Sequence, residues 1–405
     1  MDEVLVNASA AGDQGQPSVA GFRGTQFVVV WEDRNDRTIK GQLFGVNGSK
    51  TSSEFTVNIP TVPGTPTPRR QLPAIVEYGA GFAVAWTEQQ GFGHPSSAPA
   101  QLKLRTFDQD TLSGPEIQVS TATVEPHIRP AMTSLADGGF IVVWADKRRD
   151  DRIRAQRFAF DGTKNGPEFR ANTTPELHRN PLVARLANGN IVIAWRARSA
   201  APLLVRFQIF DANGPVGGEQ VTSLDVTDMA MTALDSGPFV IAHVRSVSDG
   251  EPALDTTVAR VSVFAPDGAF TGIQIIPTAE QRIQSSWPTL APLSGGRFLL
   301  AWAQSNTDNS AAGNDVKARI FSAAQGALGQ ATRVNTSTGG QRLSLVAATT
   351  SGPEGEIAFA AWTDERRSFS DVAGREVHGR ALPIPIRRFL MQGCPLAAPA
   401  LARLG

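Results

Sequence analysis

From Gly138 to Gly162 the chain reads GGFIVVWADKRRDDRIRAQRFAFDG. Phe140, Val142 and Trp144 alternate with Ile141 and Val143, a period of 2 that is apolar on both faces, as a strand covered on both sides requires. A charged loop follows. The next arm, from Ile153 to Phe158, alternates again, with Arg154, Gln156 and Phe158 on one face and Ile153, Ala155 and Arg157 on the other. The two arms predict a β-hairpin.

The hairpin recurs. Apolar runs end in Trp31, Trp86, Trp144, Trp195, Trp302 and Trp362, and one more, FVIAH, ends in His243. Subtracting successive numbers gives separations of 55, 58, 51, 48, 59 and 60. A period near 50 belongs to a propeller or a solenoid. The partner arm ends at Phe44, Phe107, Phe158, Phe210, Phe264, Phe321 and Leu382, with a basic residue four positions earlier each time: Lys40, Lys103, Arg154, Arg206, Arg260, Lys317 and His378.

Two further segments complete each copy. A short strand such as Glu54-Phe-Thr-Val-Asn58, Glu116-Ile-Gln-Val-Ser120 or Glu168-Phe-Arg-Ala-Asn172 follows the hairpin. A small-residue segment, often led by proline, precedes it: Pro17-Ser-Val-Ala20, Pro73-Ala-Ile-Val76, Pro130-Ala-Met-Thr133, Pro181-Leu-Val-Ala184 and Pro288-Thr-Leu-Ala291. Small side chains suit an innermost strand near an axis, and proline is tolerated at a strand's first residue. Each copy is then four antiparallel strands, A to D from the axis outward. The seventh copy lacks its last strand, but Glu3-Val-Leu-Val-Asn7 matches Glu54 to Asn58. The expected fold is all-β: a seven-bladed β-propeller closed by the N-terminal strand pairing into the last blade, which removes open sheet edges. The propeller domain is expected over 1–386, with a tail outside the repeat over 387–405.

Composition adds exclusions. The chain balances 38 basic against 38 acidic residues, which argues against a general nucleic-acid or membrane-surface binder. No apolar run approaches the roughly 20 residues of a membrane span. One cysteine, Cys394, excludes a disulfide within the chain and a cysteine-based metal cluster. The chain starts Met1-Asp2-Glu3 with no signal peptide and runs straight into the closing strand, as a trimmed mature domain or a cytoplasmic protein would. A monomer is expected.

Copies of the form Pro-x-Val-Ala, Gly-Gly-Phe-x-Val-Val-Trp, Gln-Arg-Phe, Asp-Gly and Gly-Pro-Glu-Phe-x-Val-Asn resemble the propeller repeats of large secreted and surface proteins of bacteria. The resemblance covers Glu3 to about Leu382 and implies extracellular or cell-surface binding or display without naming a ligand. His243 in place of tryptophan, and the missing leading proline of the fifth copy, depart from the pattern. Neither the Asp-box of sialidases nor the Trp-Asp ending of WD40 repeats is seen.

The loops joining D to A share a rim with the B to C loops, where propellers meet their ligands. They hold Arg69 and Arg70, His127 and Arg129, His178 and Arg179, Arg282, and Arg342, bases that a closed ring would gather around one mouth. The candidate ligand-binding set is Arg70, His127, Arg129, His178, Arg179, Arg282 and Arg342. The competing reading pairs them with the loop acids Asp36, Asp150, Asp151 and Glu365 as ordinary surface ion pairs. Acids two residues past the tryptophan predict cross-hairpin pairs of Asp33 with Lys40, Glu88 with Lys103, Asp146 with Arg154 and Asp364 with His378; their recurrence reads as structural. His243 reads as a satisfied core histidine. Asp308, Asn309, Asn314 and Asp315 could wrap a calcium ion, but no spacing matches an EF-hand loop, and no cofactor is expected. There is no Gly-x-Ser-x-Gly, His-Glu-x-x-His or Walker loop, and no catalytic residue is assigned. The expected function is a non-catalytic binding or display propeller whose rim or funnel takes a glycan, anionic in the sharpest version, or a protein. The alternatives are a funnel-sited hydrolase or lyase acting on polysaccharide, and a structural spacer of a larger surface protein.

Overall fold

The computed structural model describes residues 1–384 other than 9–11, 80, 90–99, 109–112, 125–127, 147–151, 199–203, 223–225, 227, 248–255, 276–287, 306–313, 337–340, 353–354 and 366–374. The tail from 387 lies outside the described residues.

The described chain forms seven four-stranded antiparallel sheets arranged as a seven-bladed β-propeller. In the order A to D, blade 1 is Gln14–Phe22, Gln26–Asp33, Thr38–Gly45 and Phe55–Thr56; blade 2 is Arg69–Tyr78, Gly81–Gln89, Ala100–Asp108 and Ile117–Gln118. Blade 3 is Ala131–Ser134, Phe140–Asp146, Arg152–Phe158 and Lys164–Arg170; blade 4 is Leu177–Arg185, Ile191–Arg198, Leu204–Phe210 and Pro215–Val221. Blade 5 is Asp228–Ala233, Phe239–Val247, Thr256–Phe264 and Phe270–Ile275; blade 6 is Thr289–Leu293, Arg297–Ser305, Asn314–Ser322 and Gly326–Arg333. Blade 7 is Gln341–Gly352, Gly355–Glu365 and Arg375–Pro383, with Val4–Leu5 as its outermost strand. The expected closure is present: Val4 lies opposite Gly379 and Leu5 opposite His378. No helix is long and apolar enough to cross a membrane among the described residues.

The core sits between blades rather than within them. Each of seven buried clusters joins residues of two neighbours, and each tryptophan faces the preceding blade: Trp144 packs among Ala83, Ala85, Leu102 and Leu104 of blade 2. This is why strand B is apolar on both faces. Trp31, Trp86, Trp144, Trp195 and Trp362 are fully buried. The phenylalanines that open strand B and end strand C lie opposite one another and stack, as in Phe82 with Phe107 and Phe140 with Phe158, centroids 4.7 and 4.8 Å apart. The paired glycine before strand B has a steric cause. Gly138 turns at φ 84°, and a Cβ on Gly139 would come within 2.1 Å of the Phe158 carbonyl oxygen.

The Glu-x-x-x-Asn motif of strand D acquires a job at each end. The asparagine oxygen accepts a backbone N–H of strand C in its own blade: Ile39 to Asn58, Ile153 to Asn172, Val316 to Asn335 and Val377 to Asn7, at 2.7 to 2.9 Å. The glutamate reaches the previous blade and accepts the amide that follows that blade's strand D. Ile59 donates to Glu116, Thr121 to Glu168, Thr173 to Glu219, Thr336 to Glu3 and Ala8 to Glu54. The same glutamate faces the strand C base, which corrects the expected pairing. Lys40 lies 3.7 Å from Glu54 and from Asp36, while Asp33 caps the turn amides of Asn35 and Asp36. Glu88 is held by Arg70 of strand A. The third expected pair stands, with the strand D acid added to it: Arg154 bonds Asp146 at 3.0 Å and Glu168 at 2.9 Å. In the fourth, the charge of Asp364 acts on His378, whose ring also meets Glu3 and Glu376. Strand B cannot monopolise the base because strand D presents an acid on the same face.

Candidate functional site

The D to A and B to C loops share one end of the ring, as expected. A cavity of about 520 Å³ opens there on the axis, walled by residues from all seven blades, among them Gln16, Leu72, Arg129, Asn180, Asp228, Thr289 and Leu345. Its wall is shaped by a bulge. Opposite the strand B tryptophan, strand A breaks register between Gly15 and Ser18, Gln71 and Ala74, Arg179 and Leu182, and Leu343 and Val346. Gln16, Leu72 and Asn180, each just before a proline, sit in the left-handed region at φ 53°, 55° and 49°. Non-glycine residues are held there at a cost and re-aimed by the bulge. Strand A in blades 1, 2 and 4 therefore extends through its proline, which lies in the bulge and not at the strand's first residue as expected.

Blade 5 has no such break: Met229 pairs directly with His243 and Asp228 with Val244. The departures in the fifth copy, no proline and no tryptophan, are thus one structural event. His243 is buried, and desolvation, only partly offset by a backbone bond to Ile241, lowers its imidazole to about 4, so it stays neutral in the core.

The charged groups described in the cavity are few, and Glu32, Arg129 and Asp228 each stand in one copy alone. Glu32 follows Trp31, where other copies have Thr87, Ala145, Arg196, Val244, Ala303 and Thr363. These residues approach strand A of the next blade: the Thr87 hydroxyl donates to the Ile128 carbonyl at 2.6 Å, and Gln16 N–H donates to Thr363 Oγ1 at 3.2 Å. Glu32 accepts from Arg34 Nε at 2.8 Å, and Arg34 also meets Asp13 at 3.0 Å. Arg129 donates to Gln16 across the cavity. It keeps solvent-exposed surface although protein surrounds it, so desolvation lowers its guanidinium from the usual arginine range against the fields of Asp228 and Glu32. Asp228 is half-buried and accepts its neighbour's amide, Met229 N–H, at 2.8 Å. Burial raises this carboxyl above the ordinary range, while that bond and the charges of Arg129 and Arg196 oppose the shift. Desolvation lowers Arg196, half-buried beside strand A; Asp228 opposes the shift and Arg179 adds to it.

The candidate set divides. Arg129 reaches the axial cavity, and Arg179 is exposed beside it, one residue before Asn180. Arg70 is buried in its blade, bonding Glu88 at 2.8 Å and the Arg37 carbonyl at 3.3 Å. His178 is fully buried, with its ring nitrogens against Asn172 and Thr174 at 3.3 and 3.1 Å and its edge toward Trp195. His127 and Arg282 lie outside the described residues, as does the side chain of Arg342, whose backbone pairs with Asp364. The five arginines are not equivalent. Arg129 directly precedes its proline, Arg179 stands two positions before and Arg70 three, and each step turns the side chain to another face. Glu32, Arg34 and Asp228 were missed by the sequence reading, and Arg69 was named among the loop bases but left out of the candidate set; asymmetry among aligned copies is the signal that could have found Glu32 and Asp228.

Elsewhere, Glu3, Asp364 and His378 bring ligand atoms within 4.8 Å of one another, a set that could hold a cation. His378 there already faces Glu3 at 2.8 Å and Glu376 at 3.0 Å, so the cluster reads as part of the closure. Of the residues weighed for calcium, Asp308 and Asn309 lie outside the described residues, and Asp315 meets Arg333 at 3.0 Å. Asp150 and Asp151 are also outside them, while Glu365 meets Arg375 at 3.2 Å. A second axial cavity, about 810 Å³, opens at the opposite mouth and is lined largely by alanine, glycine and threonine, with Glu77, Arg185 and Asp235 as its charges.

No protein-family model matches the chain, and no curated protein matches it. Solved structures do resemble it. A polysaccharide lyase, an ulvan lyase bound to -[GlcA(1-4)Rha3S]-, shares 10% identity at a TM-score of 0.59 over 93% of this chain and 95% of its own. A protein of unknown function from Dyadobacter fermentans shares 12% identity at 0.54 over 95% and 98%. An α-L-arabinofuranosidase from Fusarium graminearum shares 9% identity at 0.50 over 94% and 97%. At such identities the likeness is one of fold.

Proposed function

We propose that the protein is a glycan-binding propeller whose ligand enters the axial cavity on the D–A and B–C face and presents an anionic group there. The observation that carries this reading is the contrast between blades that repeat their framework residues and an axial wall on which Glu32, Arg129 and Asp228 each stand in one blade alone. A position that serves only the fold recurs through most blades, whereas one asymmetric ligand needs different groups around a ring. The cavity lining holds Arg34, Arg69 and Arg129 against Glu32 and Asp228, with Arg179 and Arg196 alongside. This leaves an excess of positive charge in a chain that is neutral overall. Such a funnel focuses potential on its mouth. The glycan-active names among the similar folds agree with a carbohydrate ligand, and the reading includes an extracellular or cell-surface location.

A glycan and polyanion array at two salt concentrations tests the reading. Acidic glycans should be retained and should weaken as salt shortens the Debye length from about 10 Å at 0.1 M. Retention of no glycan at low salt refutes it. The rival reading, a hydrolase or lyase in the same funnel, draws on Glu32 and Asp228, two acids each single to its blade. It predicts new reducing ends or unsaturated products on incubation with the retained polysaccharide.

A further inference from the structure

We infer that the wall of this cavity is built to recognise a pyranose ring by its hydroxyls, and that Gln71, with Asn180 and Gln16, determines which glycan is accepted. This rests on the glycan reading above and concerns the uncharged part of the ligand. The three carboxamides stand on strand A of blades 2, 4 and 1, and all line the axial cavity. Gln71 carries the most information. It is 1% exposed, and among the described residues its Nε2 has no hydrogen-bond partner. A buried donor left unmade lowers stability, and native proteins keep few of them. The amide is no part of the repeat, since the same position before the bulge holds Gly15, Arg179 and Leu343 in the other broken strands.

The next residue along adds a second sign. Gln16, Leu72 and Asn180 fill one bulge position in blades 1, 2 and 4, all in the left-handed region and all on the cavity wall. Strain of this kind persists where the surrounding structure holds it, and it gathers at ligand sites. The Gln16 oxygen accepts from Arg129, which leaves its amide nitrogen as a donor. Asn180 is exposed and offers both an acceptor and donors, while Leu72 adds apolar surface to the same wall. A pyranose matches this set: its rim hydroxyls both donate and accept, and its faces carry C–H groups. A bare anion only accepts, and it has no use for an amide oxygen or for Leu72. The volume, about 520 Å³, suits a few rings at most. The terminal torsion of glutamine is soft, so the Gln71 amide turns to a sugar oxygen that arrives.

The test compares the parent with Gln71→Met and Asn180→Gly on one array that carries oligogalacturonate, hyaluronan and alginate fragments beside polyphosphate and poly-aspartate, with melting followed by calorimetry. Neither substitution removes a charge. Methionine keeps the reach of the side chain and deletes the amide, and glycine takes a φ of 49° without strain. The parent should hold the acidic sugars about tenfold or more tightly than the two non-sugar polyanions. Each variant should lose about threefold to tenfold in affinity for the sugars, as for one hydrogen bond, with an unchanged dependence on salt. Gln71→Met should nevertheless melt about 1 to 4 °C higher, because no unmade bond remains. Stability gained while binding is lost is a pairing that a merely structural amide does not give. Equal retention of sugars and polyanions, variants that bind as the parent does, or a Gln71→Met chain that melts below the parent overturns the inference and leaves the glycan reading standing. An array that retains no glycan removes both.

Discussion

Removing residues 1–8 takes away the outermost strand of blade 7 and with it the closure of the ring. Val6 is fully buried against Phe359 and Val377, and its burial is worth about 1.5 to 3 kcal/mol. Val6 N–H donates to the Val377 carbonyl, and Val377 N–H donates to Asn7 Oδ1, both at 2.8 Å; at about 1 kcal/mol each they add about 2. Glu3 leaves His378 buried without its 2.8 Å partner, at a cost of about 1 to 3 kcal/mol, and also releases the Thr336 amide. The sum is about 5 to 8 kcal/mol, comparable with the whole stability of many domains. An unfolding entropy of about 2.1 cal/mol/K per residue over about 385 residues gives roughly 0.8 kcal/mol/K, so the melting temperature should fall by about 6 to 10 °C. The unpaired edge left on strand C of blade 7 should also promote association. Scanning calorimetry and light scattering read the two effects. A truncated chain that melts within about 2 °C of the parent and stays monomeric shows that the N-terminal strand contributes no closure.

Trp144→Ala should cost about 3 to 5 kcal/mol in denaturant titrations, because the indole is fully buried between blades 2 and 3 and leaves a cavity; a loss under 1 kcal/mol contradicts the inter-blade core. His243→Trp should destabilise by about 1 to 3 kcal/mol, since Met229 lies in direct register with no bulge to make room; a stabilised variant refutes that account of the fifth blade. Burial alone would lower the His378 imidazole, but its bonds to Glu3 and Glu376 and the field of Asp364 raise it overall. Its contribution to stability is therefore full below the ordinary histidine range and is lost as pH rises through the raised value. The melting difference between the parent and His378→Asn should shrink over that interval and stay flat in more acidic buffers, whereas a gap that widens with pH reverses the sign and defeats the assignment.

Blade number, strand order and closure were legible in the chain because each depends on residues close in sequence. The double-sided apolar run ending at Trp144 and the base at Arg154 are set by strand periodicity inside one hairpin, and a repeat multiplies that signal by seven. Even the distant pairing of Val4 with Gly379 could be read, since Glu3 to Asn7 copies a strand seen elsewhere. What the strand D glutamate does could not, because its partners, such as Thr121 for Glu168, belong to the neighbouring blade and meet it only when blades pack. The site was less legible still. Bases before strand A looked alike as letters, yet in blade 2 a bulge that adds one residue opposite the tryptophan puts Leu72 on the cavity wall and leaves Arg70 locked onto Glu88, while Arg129, directly before its proline, reaches the cavity. Asp228 and Glu32 carry no motif. They become a site only because ring closure brings blades 1, 3 and 5 to one axis, where distance along the chain no longer separates them.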